Sequence, residues 1–162
     1  MSSAGPVAPQ SAAPIGIAPV SAAALRAEIL GAAESELIAI LGAEPEFYDD
    51  TLKSLQNGVR TPVQPTRRTL CDALETPCPG ELTFPILQAN LADVAVVTDA
   101  EVAEAVRYAF GTLKLVMEPG GSVALAALLT GKVDGKGKTT AVVVSGGNVD
   151  PELFAQILKG EI

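Results

Sequence analysis

Three stretches of this chain combine residue types and spacings that can do chemistry. The run VVVSGGNVD (residues 142–150) places Ser145 directly after a β-branched apolar stretch and follows it with Gly146 and Gly147. In open parallel sheets, ligands bind beyond the carboxyl ends of the strands. A hydroxyl there, beside glycines that let backbone come close, can meet a small molecule. The same letters also make a plain glycine turn capped by Ser145. The run AEPEFYDD crowds Glu44, Glu46, Asp49 and Asp50 together. Carboxylates so near repel one another, and either solvation or a hard cation such as magnesium or calcium relieves that. In VMEPGGSVALAALL, Glu118 precedes a tight turn into an apolar stretch. It either complements the positive end of a helix or lines a pocket.

What the chain lacks narrows the chemistry further. It has no histidine, which removes Ser-His-Asp triads, Cys-His dyads and histidine-ligated zinc together. Catalysis would have to come from carboxylates, hydroxyls, lysines or a bound cofactor. Cys71 and Cys78 have no CxxC spacing and read as reduced structural thiols. The net charge is −8, with lysines and arginines scattered, so no basic face exists for nucleic-acid phosphates. No apolar run approaches the ~20 residues that cross a bilayer. The amino terminus has no basic residue ahead of an apolar stretch, as a signal peptide would. The expectation is an acidic cytoplasmic protein, large enough at 162 residues to bury a core.

The elements that must hold these residues follow from periodicity and punctuation. Pro6, Pro9, Pro14 and Pro19 mark residues 1–20 as a flexible leader, with one domain over 21–162. SAAALRAEILGAAESEL reads as a helix capped by Ser21. LIAILGAEP reads as a buried strand ending at Gly42, with Glu44 and Pro45 in the loop beyond. Residues 49–58 make a short helix closed by Gly58, and 60–85 an irregular excursion with one helical turn over 69–74. A brief strand, VAVV (94–97), leads to a helix capped by Asp99, with Val102, Val106, Phe110 and Leu113 on one face. SVALAALLTG is apolar enough to be a buried helix, and 131–138 a glycine-lysine turn. TTAVVV is expected as a central strand delivering SGGN. DPELFAQIL is a helix with Asp150 as N-cap and Pro151 first. β-Branched apolar strands with helices between them predict an α/β domain with a parallel sheet.

Four motifs then carry a resemblance. GAEPEFYDDT (42–51), GELTFPIL (80–87), KLVMEPGGSVALAALLTGK (114–132) and VVVSGGNVD (142–150) stand in this order. Together they closely resemble the threonine dehydratase and serine racemase group of pyridoxal-phosphate enzymes of fold type II. The likeness covers residues 37–162 and implies the carboxy-terminal part of that family's larger domain, a partial three-layer αβα domain. It implies that Ser145 hydrogen-bonds the pyridine nitrogen of pyridoxal phosphate, with Gly146, Gly147, Glu118 and Gly121 at the cofactor pocket. It also implies a divalent-cation site, for magnesium or calcium, from Glu44, Asp50 and the carbonyl of Tyr48. A serine, unlike an aspartate, does not hold the ring nitrogen protonated, so the ring is a weaker electron sink. That suits elimination from threonine or serine to a 2-oxo acid.

The sequence departs from the family at two places. The family's Ser-x-Lys-x-Arg-Gly segment, which supplies the cofactor lysine, has no counterpart here. Of the glycine-rich phosphate loop only PIG remains, in PIGIAPVSAAAL. The six lysines, Lys53, Lys114, Lys132, Lys136, Lys138 and Lys159, lie at other positions, so no catalytic nucleophile is expected from this chain. The implied activity is then that of a truncated ammonia-lyase, inactive alone. The rival reading is a non-catalytic remnant that binds a cation or pairs with a partner. Uncovered apolar edges in TTAVVV and SVALAALL predict a homo-oligomer or pairing with a complementary amino-terminal half.

Overall fold

The computed structural model describes residues 39–162. The expected leader and the helix over 21–37 lie outside them. Strands β1 (Ile40–Pro45) and β2 (Leu91–Val97) pair in parallel, with Gly42 opposite Val94 and Pro45 opposite Val97. Parallel neighbours need a long crossover, and three pieces fill it. They are helix α1 (Asp50–Asn57), a 3₁₀ turn (Asp72–Leu74) and helix α2 (Phe84–Asn90). Helix α3 (Asp99–Tyr108), a π-turn (Ala109–Leu113), helix α4 (Pro119–Leu129) and helix α5 (Pro151–Lys159) follow. The result is the mixed α/β architecture with a parallel sheet that the sequence predicts.

Helix α4 is the centre of the packing. Its residues Pro119–Leu129 are small or aliphatic and almost all buried, so α3 and both strands can come close. Val97, Val102, Met117, Val123, Leu125 and Ala126 share one core cluster with Cys71. A second cluster joins Ala103 and Val106 of α3 to Ile157 of α5. Burial at this scale is the main stabilising term, at roughly 25 cal/mol per Å² of apolar surface removed from water.

Several boundaries differ from the sequence reading, each for a physical reason. Strand β1 runs through Glu44 and Pro45, because the ladder with Val96 and Val97 continues past Gly42. Proline is tolerated at this last position, where its missing N–H costs no ladder bond. The cap of α3 is Thr98 rather than Asp99: Thr98 and Glu101 form a reciprocal capping box. The π-turn then rotates the apolar stripe, so Phe110 and Leu113 are exposed while Val102 and Val106 are buried. Helix α2 begins at the end of the expected irregular excursion and runs past it to Asn90, starting where Phe84 buries itself and Pro85 takes an early position. Residues 139–144 are the largest correction. They form no ladder among the described residues; β propensity makes a strand only where a partner supplies the hydrogen bonds. As expected, Gly58 closes α1 in a left-handed conformation, and Asp150 caps α5 through the amides of Glu152 and Leu153.

Candidate functional site

The SGGN loop and the start of α4 interlock. Glu118 donates its amide to the Gly146 carbonyl at 3.1 Å, and its Oε2 accepts the Asn148 amide at 3.1 Å. Glu118 therefore clasps the loop from both main chain and side chain, rather than capping the helix with its carboxylate. Glycine is required on both sides of the joint. A β-carbon on Gly121 would stand 2.8 Å from the Gly146 carbonyl oxygen, and one on Gly147 2.8 Å from that of Val116. The 3₁₀ turn borders the same end of α4, since Ala73 and Leu74 lie against Gly120. The fold thus brings Glu118, Gly121, Gly146 and Gly147 together and holds Ser145 beside them. Ser145 is exposed, and its hydroxyl makes no hydrogen bond among the described residues. Asn148, which the motif reading passed over, completes the clasp through its backbone amide alone, a role that leaves no side-chain signature.

The acidic loop lies elsewhere on the sheet, at the carboxyl end of β1. Both Glu44 oxygens are engaged, accepting the Thr51 amide at 3.0 Å and the Leu52 amide at 3.1 Å. The carboxylate thereby complements the positive end of α1. Burial nevertheless pushes its pKa upward. Asp50 is buried next to it, and burial first, then the Glu44 charge, raise its pKa to about 6. A cavity of about 290 Å³ is lined by Glu44, Tyr48 and Asp50 together with Leu74, Leu87 and Val94. The fold therefore gathers the three expected cation residues on one wall. Among the described residues, no group of three or more acidic or cysteine side chains is arranged to hold a metal; the expected set has only two carboxylates and a main-chain carbonyl.

Sequence reasoning missed what holds this loop. Phe47 has a positive φ of 71°, a conformation uncommon outside glycine. Arg67 lies over its ring, 4.7 Å from the centroid, and pairs with Glu46. The neighbouring Arg68 pairs with Glu75 at 2.8 Å, and Glu75 accepts the Thr69 amide at 3.0 Å. Arg67 thus braces the loop, while the Arg68–Glu75 pair fastens the excursion to itself. The only sequence signal was oppositely charged groups in 60–85, whose pairing spacing alone does not settle.

Five of the six lysines have surface or main-chain partners. Lys53 pairs with Asp49 and Lys138 with Asp134; Lys159 pairs with Glu161. Lys114 bonds the Gly111 carbonyl, and Lys132 bonds the Val96 carbonyl and Glu101. Both cysteines are free, Cys71 buried and Cys78 partly so.

The family model described as pyridoxal-phosphate dependent enzyme matches residues 15–146, a span that holds both the α4 start and Ser145. The chain belongs to this family. The match begins within the expected leader, upstream of where the four motifs place it. The chain is 39% identical over 121 residues to an L-threo-3-hydroxyaspartate ammonia-lyase from Pseudomonas sp, covering 75% of this chain and 38% of that enzyme. It is 32% identical over 122 residues to an L-threonine ammonia-lyase from Thermotoga maritima, covering 75% of this chain and 30% of that enzyme. The structure of maize serine racemase superposes with a TM-score of 0.68 at 30% identity, over 86% of this chain and 42% of that one. The chain thus spans less than half the length of each of these relatives. Among the described residues, no helix is long and apolar enough to cross a membrane.

Proposed function

We propose that this chain forms the pyridine-ring side of a pyridoxal-phosphate site for elimination from a hydroxy amino acid, threonine or serine, to a 2-oxo acid. The supporting observation is the Ser145 hydroxyl, exposed and unpartnered among the described residues, on a loop clasped by Glu118. These residues fit the cofactor's ring. A free hydroxyl can donate to the pyridine nitrogen, and the glycine joint leaves the loop flush against α4 with no side chain in the way. Pyridoxal phosphate, when bound, supplies an electron sink for the substrate's α-carbon. Ser145 would hold the ring nitrogen by hydrogen bond without keeping it protonated. Glu118 and Gly121 keep Ser145 in place, with Gly146 and Gly147 allowing the close approach. The lysine and phosphate loop come from outside this set, so catalysis needs a complementary amino-terminal half; a homo-oligomer would pair the chain without supplying that lysine. We place it in the cytoplasm, consistent with its two free thiols.

Borohydride trapping and product release test this reading. The chain alone with pyridoxal phosphate should give no stoichiometric adduct at a unique lysine and no 2-oxo acid from L-serine or L-threonine. With an amino-terminal half supplied, 2-oxo acid should appear, and Ser145→Ala should lower its rate about 10²-fold or more, the scale of a lost polar contact to the reacting system. A single stoichiometric lysine adduct on the chain alone, or full activity in Ser145→Ala, would overturn it.

A second reading rests on the buried Asp50 beside Glu44. Glu44, Asp50 and the Tyr48 carbonyl would take magnesium or calcium, whose charge offsets the burial that now raises both carboxylates and the Glu44 charge that adds to it at Asp50. Millimolar magnesium or calcium should then raise the melting temperature, because a ligand bound only by the folded state stabilises it. If the Glu44→Ala, Asp50→Ala double variant gains as much as the parent, the ion binds elsewhere.

A further inference from the structure

The turn after α4 carries a cavity that the cofactor-site reading leaves unused. It measures about 450 Å³ and is lined by Leu128, Val133, Asp134, Lys136, Lys138 and Thr140, with Gly131 and Gly135 among them. None of these residues belongs to the Glu118–SGGN joint, which sits at the other end of α4, roughly 15 Å away along an 11-residue helix. The chain is acidic, yet Lys132, Lys136 and Lys138, half of its six lysines, stand within seven positions here. A local excess of one charge concentrates ions of the other sign. Two of the three are engaged. Lys132 bonds the Val96 carbonyl and Glu101, and Lys138 bonds the Asp134 carbonyl at 3.0 Å with the carboxylate 3.5 Å away. Lys136 is not: its ammonium meets no hydrogen-bonding or ionic partner among the described residues.

The negative groups nearby already have partners. The carboxyl end of a helix repels anions, but the last carbonyls of α4 are taken. Ala126 accepts the Thr130 amide at 3.0 Å, and Ala127 and Leu128 accept those of Val133 and Gly131 at 3.1 Å each. Asp134 accepts the Lys136 amide at 3.1 Å besides facing Lys138. What stays open is donors. The Thr140 hydroxyl and the Gly135 amide make no hydrogen bond among the described residues. The turn keeps them together. Lys138 donates its amide to the Gly135 carbonyl at 3.1 Å, and Gly137 supplies a positive φ of 72° at the third position of that turn. A β-carbon on Gly135 would stand 3.1 Å from the Thr140 hydroxyl oxygen and 2.9 Å from Leu128, so these segments touch. We propose that this cavity binds the phosphate group of a small phosphate monoester. The Lys136 ammonium, the Thr140 hydroxyl and the Gly135 amide are three donors for three terminal phosphate oxygens, whereas a carboxylate offers only two. Leu128 and Val133 give the ester's carbon chain an apolar wall.

The test titrates the full 162-residue chain with glycerol 3-phosphate, inorganic phosphate and acetate at constant ionic strength, read by amide NMR shifts. Saturable shifts should centre on Gly135, Lys136 and Thr140. Glycerol 3-phosphate should bind more tightly than inorganic phosphate, and acetate about tenfold more weakly than the ester, the scale of one charge-assisted hydrogen bond. Lys136→Ala should weaken the ester by about the same factor, while Lys136→Arg should retain most of the affinity. Lys53→Ala, at a lysine that pairs with Asp49 and does not line the cavity, should bind as the parent does. Lys136 is exposed, so matching melting curves establish that its variants are folded. The proposal is overturned if the shifts do not saturate, if they spread equally to Lys53, Lys114 and Lys159, or if Lys136→Ala binds like the parent. Inorganic phosphate binding as tightly as the ester would overturn the ester as occupant, and acetate doing so would overturn the phosphate. Pyridoxal phosphate enters none of these titrations, so the cofactor-site reading stands or falls separately.

Discussion

Gly121 carries more of the site than its size suggests. Its missing β-carbon would stand 2.8 Å from the carbonyl oxygen and 2.9 Å from the nitrogen of Gly146, main-chain atoms that no rotamer change can move aside. Gly121→Ala should push the SGGN loop off α4 and cost about 1–3 kcal/mol, the usual range for overpacking. Thermal melts measure the loss, and faster amide exchange at Asn148 would locate it. A variant as stable as the parent would mean the joint is looser than described. Gly146 is the milder case, because its added carbon meets the Glu118 carboxylate, a side chain that can swing away. Cys71 makes a separate prediction. Burial, opposed by a bond from Thr69, pushes its thiol from an ordinary 9.0 to about 12. A raised folded-state pKa favours the protonated form, so this contribution to stability is whole below pH 9 and lost as pH climbs toward 12. At pH 8 iodoacetamide should therefore label the half-buried Cys78 first and reach Cys71 only on unfolding. Equal labelling of both in the native protein would contradict that.

At the scale of elements, helix ends are fixed by short-range chemistry. The Thr98 hydroxyl accepts the Glu101 amide at 3.3 Å, and Glu101 returns a bond to the Thr98 amide at 2.7 Å. Glu101 also pairs with Lys132 at 2.6 Å, and that same lysine bonds the Val96 carbonyl. One cap thus fastens β2, α3 and the turn after α4 at a single point. Thr98→Ala should cost about 1 kcal/mol, the typical value of an N-cap, while Thr98→Ser should retain most of it. Urea unfolding of the pair would show the difference, and an alanine variant equal to the serine would rule out the capping box as the source.

The whole molecule is closed at its carboxyl end by α5. Ile157 is fully buried between Ala103 and Val106 of α3. Arg107 ties the same end down, donating to the carbonyls of Ile157 at 3.0 Å and Ile162 at 3.1 Å. Phe154 meets Phe110 edge-on, with ring centroids 5.4 Å apart, and covers part of the π-turn. Ile157→Ala should destabilise by about 2–5 kcal/mol, since a cavity at a packed interface adds to the lost transfer energy. Chemical denaturation would measure it. A loss well under 1 kcal/mol would mean that α5 docks loosely and contributes little to the core.

The sequence alone determined whatever depends on near neighbours along the chain. Asp150 followed by Pro151, the closing glycine at 58 and the apolar run after Glu118 each specify a local structure within a few bonds. The absence of histidine bounded the chemistry, and four ordered motifs gave the family. Tertiary structure decided what depends on partners distant in sequence. Glu118 could cap a helix or line a pocket; a contact 30 residues away, at Asn148, made it the clasp of the loop. Glu44 fell within a strand because Val96, far along the chain, continued the ladder. TTAVVV has the composition of a central strand, but a strand requires hydrogen-bonding neighbours, and composition cannot say whether the chain holds them. Propensity is a property of residues; a ladder is a property of pairs.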